Sequence, residues 1–322
     1  MSQNNIDSNI KLWLQQIGWG EWSLEVASAD ASFRSYYRLR KDSETYVLMD
    51  SSLLLESLTP FVEMQERLLS VEVQVPRIIV RNMTLGYMIL EDFGNRHYFD
   101  VLNQENYTTL YREAIDQIVK MQNTNVEGLP LYDAEFLHFE MELMQEWYLD
   151  KYLQISITKE DEKILHHALT TITKLVLQQP QEVFVHRDFH SRNIMLTPKG
   201  SIGVIDFQDA RVGAVTYDLV SLLKDCYLEW DKDEVEKLAL YYRDVTGLGV
   251  DDATFIKWFD FMGLQRHIKV LGIFARLHLR DGKDGYLKEI PLTLKYVVET
   301  AFKYQETQAL AKVLTRIQKD KK

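Results

Sequence analysis

The sequence lacks the features that mark secreted and membrane-spanning proteins. It has a single cysteine, Cys226, among 322 residues, so no disulfide can form within the chain. Its longest apolar runs, such as residues 270–275, are far too short to cross a bilayer. The first residues show no basic segment followed by an apolar core, as a signal peptide would. We therefore expect a cytoplasmic protein.

Positive charge is also scarce. Lys and Arg total 37 against 48 Asp and Glu, which gives a net charge of −11. An acidic surface does not attract nucleic acid or an anionic membrane, so we expect neither as a partner. The hydrophobic content of 46% is typical of a globular protein, and 322 residues exceed one modest core, which favours two lobes. No feature of the sequence predicts an oligomeric state.

One hairpin-like stretch concentrates the polar residues of interest. Two short apolar runs flank a charged loop and a third follows a turn: residues 183–185, 194–196 and 201–205. This pattern predicts strand, loop, strand, turn and strand. It would bring Asp188, Asn193 and Asp206 together from one short segment.

These three residue types suit phosphoryl transfer from a magnesium nucleotide. The order is His-Arg-Asp, then four residues and Asn193, then an Asp-Phe dipeptide at Asp206, which is the spacing of a kinase catalytic loop. The Asp188 carboxylate can accept the proton of a substrate hydroxyl. Asn193 and Asp206 offer oxygen ligands to Mg²⁺. We prefer this interpretation, with ATP as phosphate donor, to a solvated loop whose spacing is coincidental, because the surrounding strands fit the motif.

The apolar patterns predict an α+β, bilobal, protein-kinase-like fold. Five strands and one helix occupy the first ninety or so residues, and helical spacing dominates afterwards. We therefore predict a nucleotide-binding lobe over residues 1–92 and a catalytic and acceptor-binding lobe over residues 93–322. The letters Asp92-Phe93-Gly94 resemble a kinase metal motif but end the fifth strand, where the lobes join. The metal-binding Asp is instead Asp206.

The chain resembles the aminoglycoside phosphotransferase family. The motifs that carry this resemblance lie at residues 184–195, 203–208 and 216–219. A narrower resemblance links it to the bacterial anomeric sugar kinases, which phosphorylate N-acetylmuramate and N-acetylglucosamine in peptidoglycan recycling. That match rests on residues 29–34, 46–50, 88–94 and 265–277. Together the motifs span almost the whole chain.

The resemblance implies a role for each matching position. Asp188 would be the catalytic base, and Asn193 and Asp206 would hold Mg²⁺. His186 and Asp218 would support the catalytic loop, although Asp218 could instead simply cap a helix. The implied nucleotide contacts form two groups: Ser32, Phe33 and Arg34 over the phosphates, and Glu91 and Phe93 beside the adenine.

The third strand departs from the protein-kinase pattern. Met49 stands where a phosphate-binding lysine is expected, and a thioether cannot neutralise phosphate. Either Arg34 or Arg38 substitutes, or Mg²⁺ carries more of the charge. The helical acids Glu63 and Glu66 would then lack their usual lysine partner. A non-catalytic, ATP-binding pseudokinase therefore remains an alternative.

The acceptor is the least constrained part of the prediction. N-acetylmuramate carries a lactyl carboxylate that needs a local cation, and four candidates cluster in one helical stretch: Arg266, His267, Lys269 and Arg276. Arg266 and Lys269 are the candidate acceptor contacts, with Gln208 and Asp209 beside the metal-binding Asp. For any single one of the four cations, we favour the alternative that it pairs with one of the many Asp and Glu residues or covers the core with its aliphatic part. A kinase for a cationic acceptor, such as an aminoglycoside or a choline-like amine, is the rival. Such an enzyme should line its acceptor site with carboxylates.

Overall fold

A five-stranded antiparallel sheet forms the small lobe. The computed structural model describes residues 8–28 and 34–320. The strands are β1 (Ser23–Ser28), β2 (Ser35–Lys41), β3 (Glu44–Asp50), β4 (Ile78–Asn82) and β5 (Tyr87–Glu91). Their spatial order is β1-β2-β3-β5-β4, so β5 lies between β3 and β4 and delivers the chain to the second lobe from inside the sheet.

The two faces of this sheet are covered by different partners. Leu48 on β3 packs in an outer apolar cluster with Trp13 of α1 (Ser8–Gln16). Its neighbour Met49 points to the opposite face and joins the main core with α2 (Leu58–Ser70). Met49 is completely buried, so this side chain fills the core at the position where a phosphate-binding lysine was expected.

The large lobe is mostly helical. Its α-helices are α3 (Tyr98–Val101), α4 (Tyr107–Gln122), α5 (Ala134–Leu143), α6 (Lys159–Val176), α7 (Tyr217–Leu223), α8 (Lys232–Thr246), α9 (Asp252–Asp281), α10 (Ile290–Lys303) and α11 (Gln308–Asp320). A π-helical segment, Met144–Tyr152, continues α5, and short 3₁₀ turns occupy Leu55–Ser57 and Asp284–Glu289. The 30-residue α9 runs through this lobe with most of its central residues buried.

Four short strands hold the polar loop of the large lobe. They are β6 (Val183–Val185), β7 (Ile194–Leu196), β8 (Ile202–Val204) and β9 (Arg211–Gly213). β7 pairs with β8, and β6 pairs with β9, both antiparallel. The strands on either side of the loop were predicted from the sequence, and their pairing fixes both ends of it.

Two helix boundaries differ from the sequence pattern. The apolar spacing of residues 292–318 predicts a single helix, and this is wrong: the chain forms α10 and α11 with a break between them. Thr307 ends α10 by donating its hydroxyl to the Ala301 carbonyl (3.0 Å). The spacing of residues 217–229 predicts a helix over that whole range, but the helix ends at Leu223, because Asp225 turns the chain by accepting the Tyr227 N–H (3.0 Å).

The predicted α+β bilobal architecture is confirmed. The sheet ends at Glu91, one residue before the proposed division at residue 92, which stays a prediction as a domain boundary. No helix within residues 8–28 and 34–320 is long and apolar enough to cross a membrane.

Candidate active site

The three polar side chains predicted from the hairpin lie together. The Asn193 amide donates to the Asp188 carbonyl (3.0 Å) and contacts the Asp206 carboxylate (3.4 Å). The Ile205 N–H donates to the Asn193 carbonyl (3.1 Å), which ties the end of the third strand to the loop. Asp188, Asn193 and Asp206 therefore surround one small volume, as phosphoryl transfer requires.

Asp218 holds the backbone on the N-terminal side of Asp188. Its carboxylate accepts the N–H groups of His186 (2.7 Å) and Arg187 (3.0 Å). Arg187 has a φ of 78°, which is unfavourable for a side chain of its size, so the two bonds stabilise a strained residue. Burial raises the pKa of Asp218 to about 6, while the backbone bonds from His186 and Arg187 act in the opposite direction.

His186 is a buried neutral imidazole that supports the loop. Its Nε2 lies 3.0 Å from the Ile205 carbonyl, and its Nδ1 lies 3.3 Å from the Asp188 N–H. These partners require Nε2 to donate and Nδ1 to accept. Burial lowers the pKa of His186, in agreement with the neutral form. The ring therefore joins the strand that ends near Asp206 to the base itself.

Asp188 is ionised at neutral pH. Burial alone would raise its pKa, but nearby positive charges, above all that of Lys269, lower it to about 2. Arg187 and Arg266 contribute to the same effect. Asp188 can therefore accept a hydrogen bond from a substrate hydroxyl without first losing a proton.

Asp206, the second carboxylate, lies where its charged form is disfavoured, so a bound cation would stabilise it. The surrounding protein raises the pKa of Asp206, and the charge of Asp188 raises it further. Gln208 donates to the Asp206 carboxylate (2.9 Å), and the Asn193 amide oxygen remains a potential ligand beside it. No group of three or more His, Cys, Asp and Glu side chains forms a metal site in the described part of the chain. Phosphate and water oxygens would therefore have to complete an Mg²⁺ shell, which suits that ion.

Arg34 is the described residue of the phosphate-covering turn, because Ser32 and Phe33 lie outside the described residues. Its buried guanidinium donates to the Ser57 carbonyl (3.2 Å) and lies 5.6 Å from the centre of the Phe61 ring. Phe61 in turn packs against Phe207, the neighbour of Asp206, at 5.0 Å. Two successive ring contacts, through Phe61 and Phe207, therefore connect Arg34 to the residue next to Asp206.

Arg38 has a different partner. It forms a bidentate ion pair with Asp92, with nitrogen–oxygen distances of 2.7 and 3.0 Å. It also donates to the Asn95 side chain (2.6 Å) and the Gly94 carbonyl (3.0 Å). Arg38 therefore links β2 to the segment that joins the lobes. Of the two arginines considered as replacements for the missing lysine, Arg34 is the better placed to contact the phosphates.

The two acids of α2 do not pair with a lysine in the described part of the chain. Glu63 is exposed, and Glu66 is exposed beside Arg81 at 3.8 Å.

At the junction of the lobes, the Glu91 N–H donates to the Arg77 carbonyl (2.9 Å). Phe93 is buried against β8, where a Cβ on Gly203 would come within 2.4 Å of its ring.

Lys269 belongs to a buried polar network behind Asp188. Its ammonium donates to the Tyr217 hydroxyl (2.6 Å) and lies 3.7 Å from Glu140. Arg187 donates to the other oxygen of Glu140 (2.8 Å), and the Tyr132 hydroxyl also bonds to this carboxylate. Glu140 stays ionised because these cations outweigh its burial and lower its pKa.

The other predicted acceptor contacts are spread around the base. Gln208 is bound to Asp206, while Asp209 is exposed and accepts from Arg187 through its carbonyl (3.3 Å). Arg266 is 3% exposed and donates to the Cys226 sulfur at 3.5 Å. The structure thus separates Arg266 from the network of Lys269.

Sequence reasoning missed several residues that pack against the loop after Asp188. The ring of His190, two residues after the base, packs edge-on against Tyr227 at 5.3 Å. Buried Asp225 accepts the Ser191 N–H (2.9 Å), and the Arg192 guanidinium stacks on Tyr227 at 3.7 Å. The polar run from His190 to Arg192 inside the loop was the sequence signal for His190, Ser191 and Arg192. Asp225 and Tyr227 offered none.

Comparisons with known proteins agree with this geometry. The model of the phosphotransferase enzyme family matches residues 23–255. A protein of Neisseria meningitidis named N-acetylmuramate/N-acetylglucosamine kinase is 39% identical over 96% of this chain and 95% of its own length. A protein of Pseudomonas aeruginosa with the same name is 37% identical over 93% of this chain and 91% of its own.

Solved structures share the fold at much lower identity. An ADP-bound aminoglycoside phosphotransferase superposes with a TM-score of 0.61 at 16% identity, over 92% of this chain and 99% of that one. A choline kinase from Streptococcus pneumoniae gives a TM-score of 0.64 at 13% identity, over 91% of this chain and 100% of that one. At such identities the likeness shows the fold and nothing about the acceptor.

Proposed function

The chain belongs to the phosphotransferase enzyme family, and from this premise we propose that it transfers the γ-phosphate of ATP to the anomeric hydroxyl of N-acetylmuramate, N-acetylglucosamine or both. The arrangement of Asp188, Asn193 and Asp206 carries the proposal for the reaction. The names of the relatives at 39% and 37% identity support the choice of sugar. Salvage of cell-wall amino sugars in the cytoplasm is the corresponding proposed role.

Asp188 would orient and deprotonate the acceptor. Its low pKa keeps it ionised, so it receives a hydrogen bond from the anomeric hydroxyl and takes the proton as the new oxygen–phosphorus bond forms. The bond between the γ-phosphorus and its bridging oxygen breaks, and ADP leaves with that electron pair. An anomeric hydroxyl is more acidic than other sugar hydroxyls, since the ring oxygen stabilises the alkoxide. A weakly basic carboxylate is therefore adequate.

Asn193 and Asp206 would hold the Mg²⁺ that accompanies ATP. Asn193 turns its NH₂ group toward the Asp188 carbonyl, which leaves its amide oxygen as a ligand. Bound Mg²⁺ would neutralise phosphate charge. Asp218 and His186 would keep the loop in place throughout, because both bind backbone groups that flank Asp188.

The small lobe would cover the nucleotide. We assign Arg34 to the phosphates, with Ser32 and Phe33 of the preceding turn, and Glu91 and Phe93 to the adenine end. The burial of Met49 in the core supports the assignment of Arg34, since that side chain offers no charge. Gln208 and Asp209 remain proposed contacts for the acceptor.

The structure offers less support for the two rivals. A site for an aminoglycoside or a choline-like amine should be rich in unpaired carboxylates, whereas Arg266 and Lys269 both lower the pKa of Asp188. A pseudokinase usually lacks the catalytic base or the metal ligands, whereas this chain has Asp188, Asn193 and Asp206.

An ATP-consumption screen tests the proposal. The purified protein is assayed with N-acetylmuramate, N-acetylglucosamine, kanamycin and choline, with and without Mg²⁺. We expect Mg²⁺-dependent turnover with one or both sugars, and a loss of at least about 10³-fold in kcat for Asp188→Asn. Turnover with kanamycin or choline alone would contradict the sugar assignment. Full activity of Asp188→Asn would remove the proposed base.

A further inference from the structure

Arg266 on α9 is a buried charge without an ionic partner. Its side chain is 3% exposed, and its one direct bond is a weak donation to the Cys226 sulfur at 3.5 Å. Its Nε has no hydrogen-bond partner, and no carboxylate of the described chain lies within ion-pairing distance. Burial of an unpaired guanidinium is strongly unfavourable, because the charge loses its hydration. An anion supplied from outside the chain would offset this cost.

This guanidinium lies close to the reacting group. It contacts the Cys226 sulfur (3.5 Å), and the neighbouring Asp225 binds the catalytic loop by accepting the Ser191 N–H (2.9 Å), three residues after Asp188. Asp225 also accepts the Tyr227 N–H (3.0 Å), so its carboxylate is already occupied. Arg266 is therefore beside the acceptor side of the base rather than in a distant part of the core.

The other candidate cations of α9 are less suitable. Lys269 is occupied by Tyr217 (2.6 Å) and Glu140 (3.7 Å). Burial and the charge of Arg266 lower the pKa of His267 to about 3, so this ring is neutral. Arg276 lies ten residues further along α9, roughly 15 Å from Arg266, and is only partly buried. Of the four, Arg266 alone combines a position near Asp188 with the lack of a carboxylate partner.

A second polar group at the same place also lacks a partner. The Nδ1 of His190 is buried and forms no hydrogen bond. His190 and Arg266 meet at the same turn, because the His190 ring packs on Tyr227 at 5.3 Å and Arg266 contacts the neighbouring Cys226. Two unsatisfied groups beside the base indicate a subsite that a polar ligand completes.

We propose that Arg266 binds the carboxylate of the acceptor, so that the site selects N-acetylated amino sugars that carry an acidic side arm, as N-acetylmuramate does. This inference rests on the proposed function. The planar guanidinium matches a carboxylate with two parallel hydrogen bonds, and burial strengthens that contact. N-acetylglucosamine has no carboxylate and does not use this contact.

Steady-state kinetics with both sugars test the role of Arg266. In Arg266→Gln we expect the ratio of kcat/KM for N-acetylmuramate to kcat/KM for N-acetylglucosamine to fall by about 30- to 100-fold, as for a lost charged hydrogen bond. Arg276→Gln, on the same helix, is the matched control and should leave the ratio of the two sugars unchanged. An equal loss for both sugars in Arg266→Gln, or a selective loss in Arg276→Gln, overturns the proposal.

A measurement on the unaltered enzyme covers the case in which Arg266→Gln does not fold. The methyl ester of N-acetylmuramate keeps the shape of the side arm and removes its charge. We expect its kcat/KM to fall to the level of N-acetylglucosamine or below. An ester that reacts as well as the acid overturns the subsite while the kinase activity stands. Failure to phosphorylate either sugar contradicts the proposed function itself, and the subsite with it.

Discussion

The guanidinium of Arg34 lies 5.6 Å from the centre of the Phe61 ring, at the end of the small lobe that faces the catalytic hairpin. Phe61 contacts Phe207 at 5.0 Å, so a continuous packing path leads from Arg34 to the residue after Asp206. In a chain with Met49 buried at the usual lysine position, this relationship makes Arg34 the leading cation for the phosphates.

Replacement of Arg34 tests this assignment. We expect Arg34→Gln to raise the KM for ATP about tenfold or more and to leave the KM for the sugar nearly unchanged, because the lost contact is with phosphate. Arg40→Gln is the matched control, since Arg40 is an exposed residue of β2 paired with Glu25 at 3.3 Å. An unchanged KM for ATP in Arg34→Gln would contradict the assignment of Arg34 to the phosphates.

Asp218 offers a test of what holds the catalytic loop. In Asp218→Asn one of the two bonds to the N–H groups of His186 and Arg187 is lost, and the strained Arg187 can relax. We expect kcat to fall about 10²-fold, as for a misplaced base. Asp231→Asn is the control, because Asp231 caps α8 and asparagine caps a helix equally well. If Asp218 acted only as a helix-terminal acid, the two variants would be equally mild.

Two glycines of α9 provide a matched pair for stability. A Cβ at Gly272 would lie 2.3 Å from the carbonyl carbon of Leu143, at the crossing with α5, where the backbone cannot yield. At Gly263 the nearest atoms would be 3.8 Å away. We expect Gly272→Ala to lower the free energy of unfolding by about 1–3 kcal/mol or more, and Gly263→Ala to be neutral or stabilising by up to about 1 kcal/mol. Denaturant unfolding measures both, and equal effects would contradict this packing.

His267 predicts a specific dependence of stability on pH. Burial and the charge of Arg266 lower its folded pKa to about 3, below the ordinary value of 6.5. The unfolded chain therefore binds more protons than the folded one between these values. The contribution of the neutral ring is fully present above pH 6.5 and is lost as the pH falls toward 3.

His267→Gln should remove this dependence. Between pH 6 and 4 we expect the unfolding free energy of the wild type to fall by up to about 1.4 kcal/mol per pH unit more than that of the variant. Urea titrations at several pH values measure the difference. Parallel curves would show that His267 becomes protonated within the folded protein.

The catalytic hairpin was predictable because its information is local. Asp188, Asn193 and Asp206 lie within one short segment whose apolar runs form the strands on either side. The polar network behind it was not predictable, because Glu140, Lys269 and Tyr217 come from three helices far apart in sequence. No periodicity indicates that these side chains meet.

Helix boundaries show the same limit. The break between α10 and α11 contains neither proline nor glycine, so the sequence pattern continues through it. The helix stops where the Thr307 hydroxyl binds the Ala301 carbonyl, a local side-chain contact that the apolar spacing does not show. The partner of Arg38 was not predictable for a related reason. The sequence allowed Arg38 to be a phosphate ligand, but it pairs with Asp92, which is distant in sequence.

The position of the transferred phosphate tests the central claim most directly. N-acetylmuramate and N-acetylglucosamine are each incubated with the protein, ATP and Mg²⁺, and the products are examined by ³¹P and ¹³C NMR. The account predicts a sugar phosphorylated on C1, with carbon–phosphorus coupling at the anomeric carbon, and no such product from Asp188→Asn. A phosphate on any other carbon, or ATP consumption without a phosphorylated sugar, would contradict it.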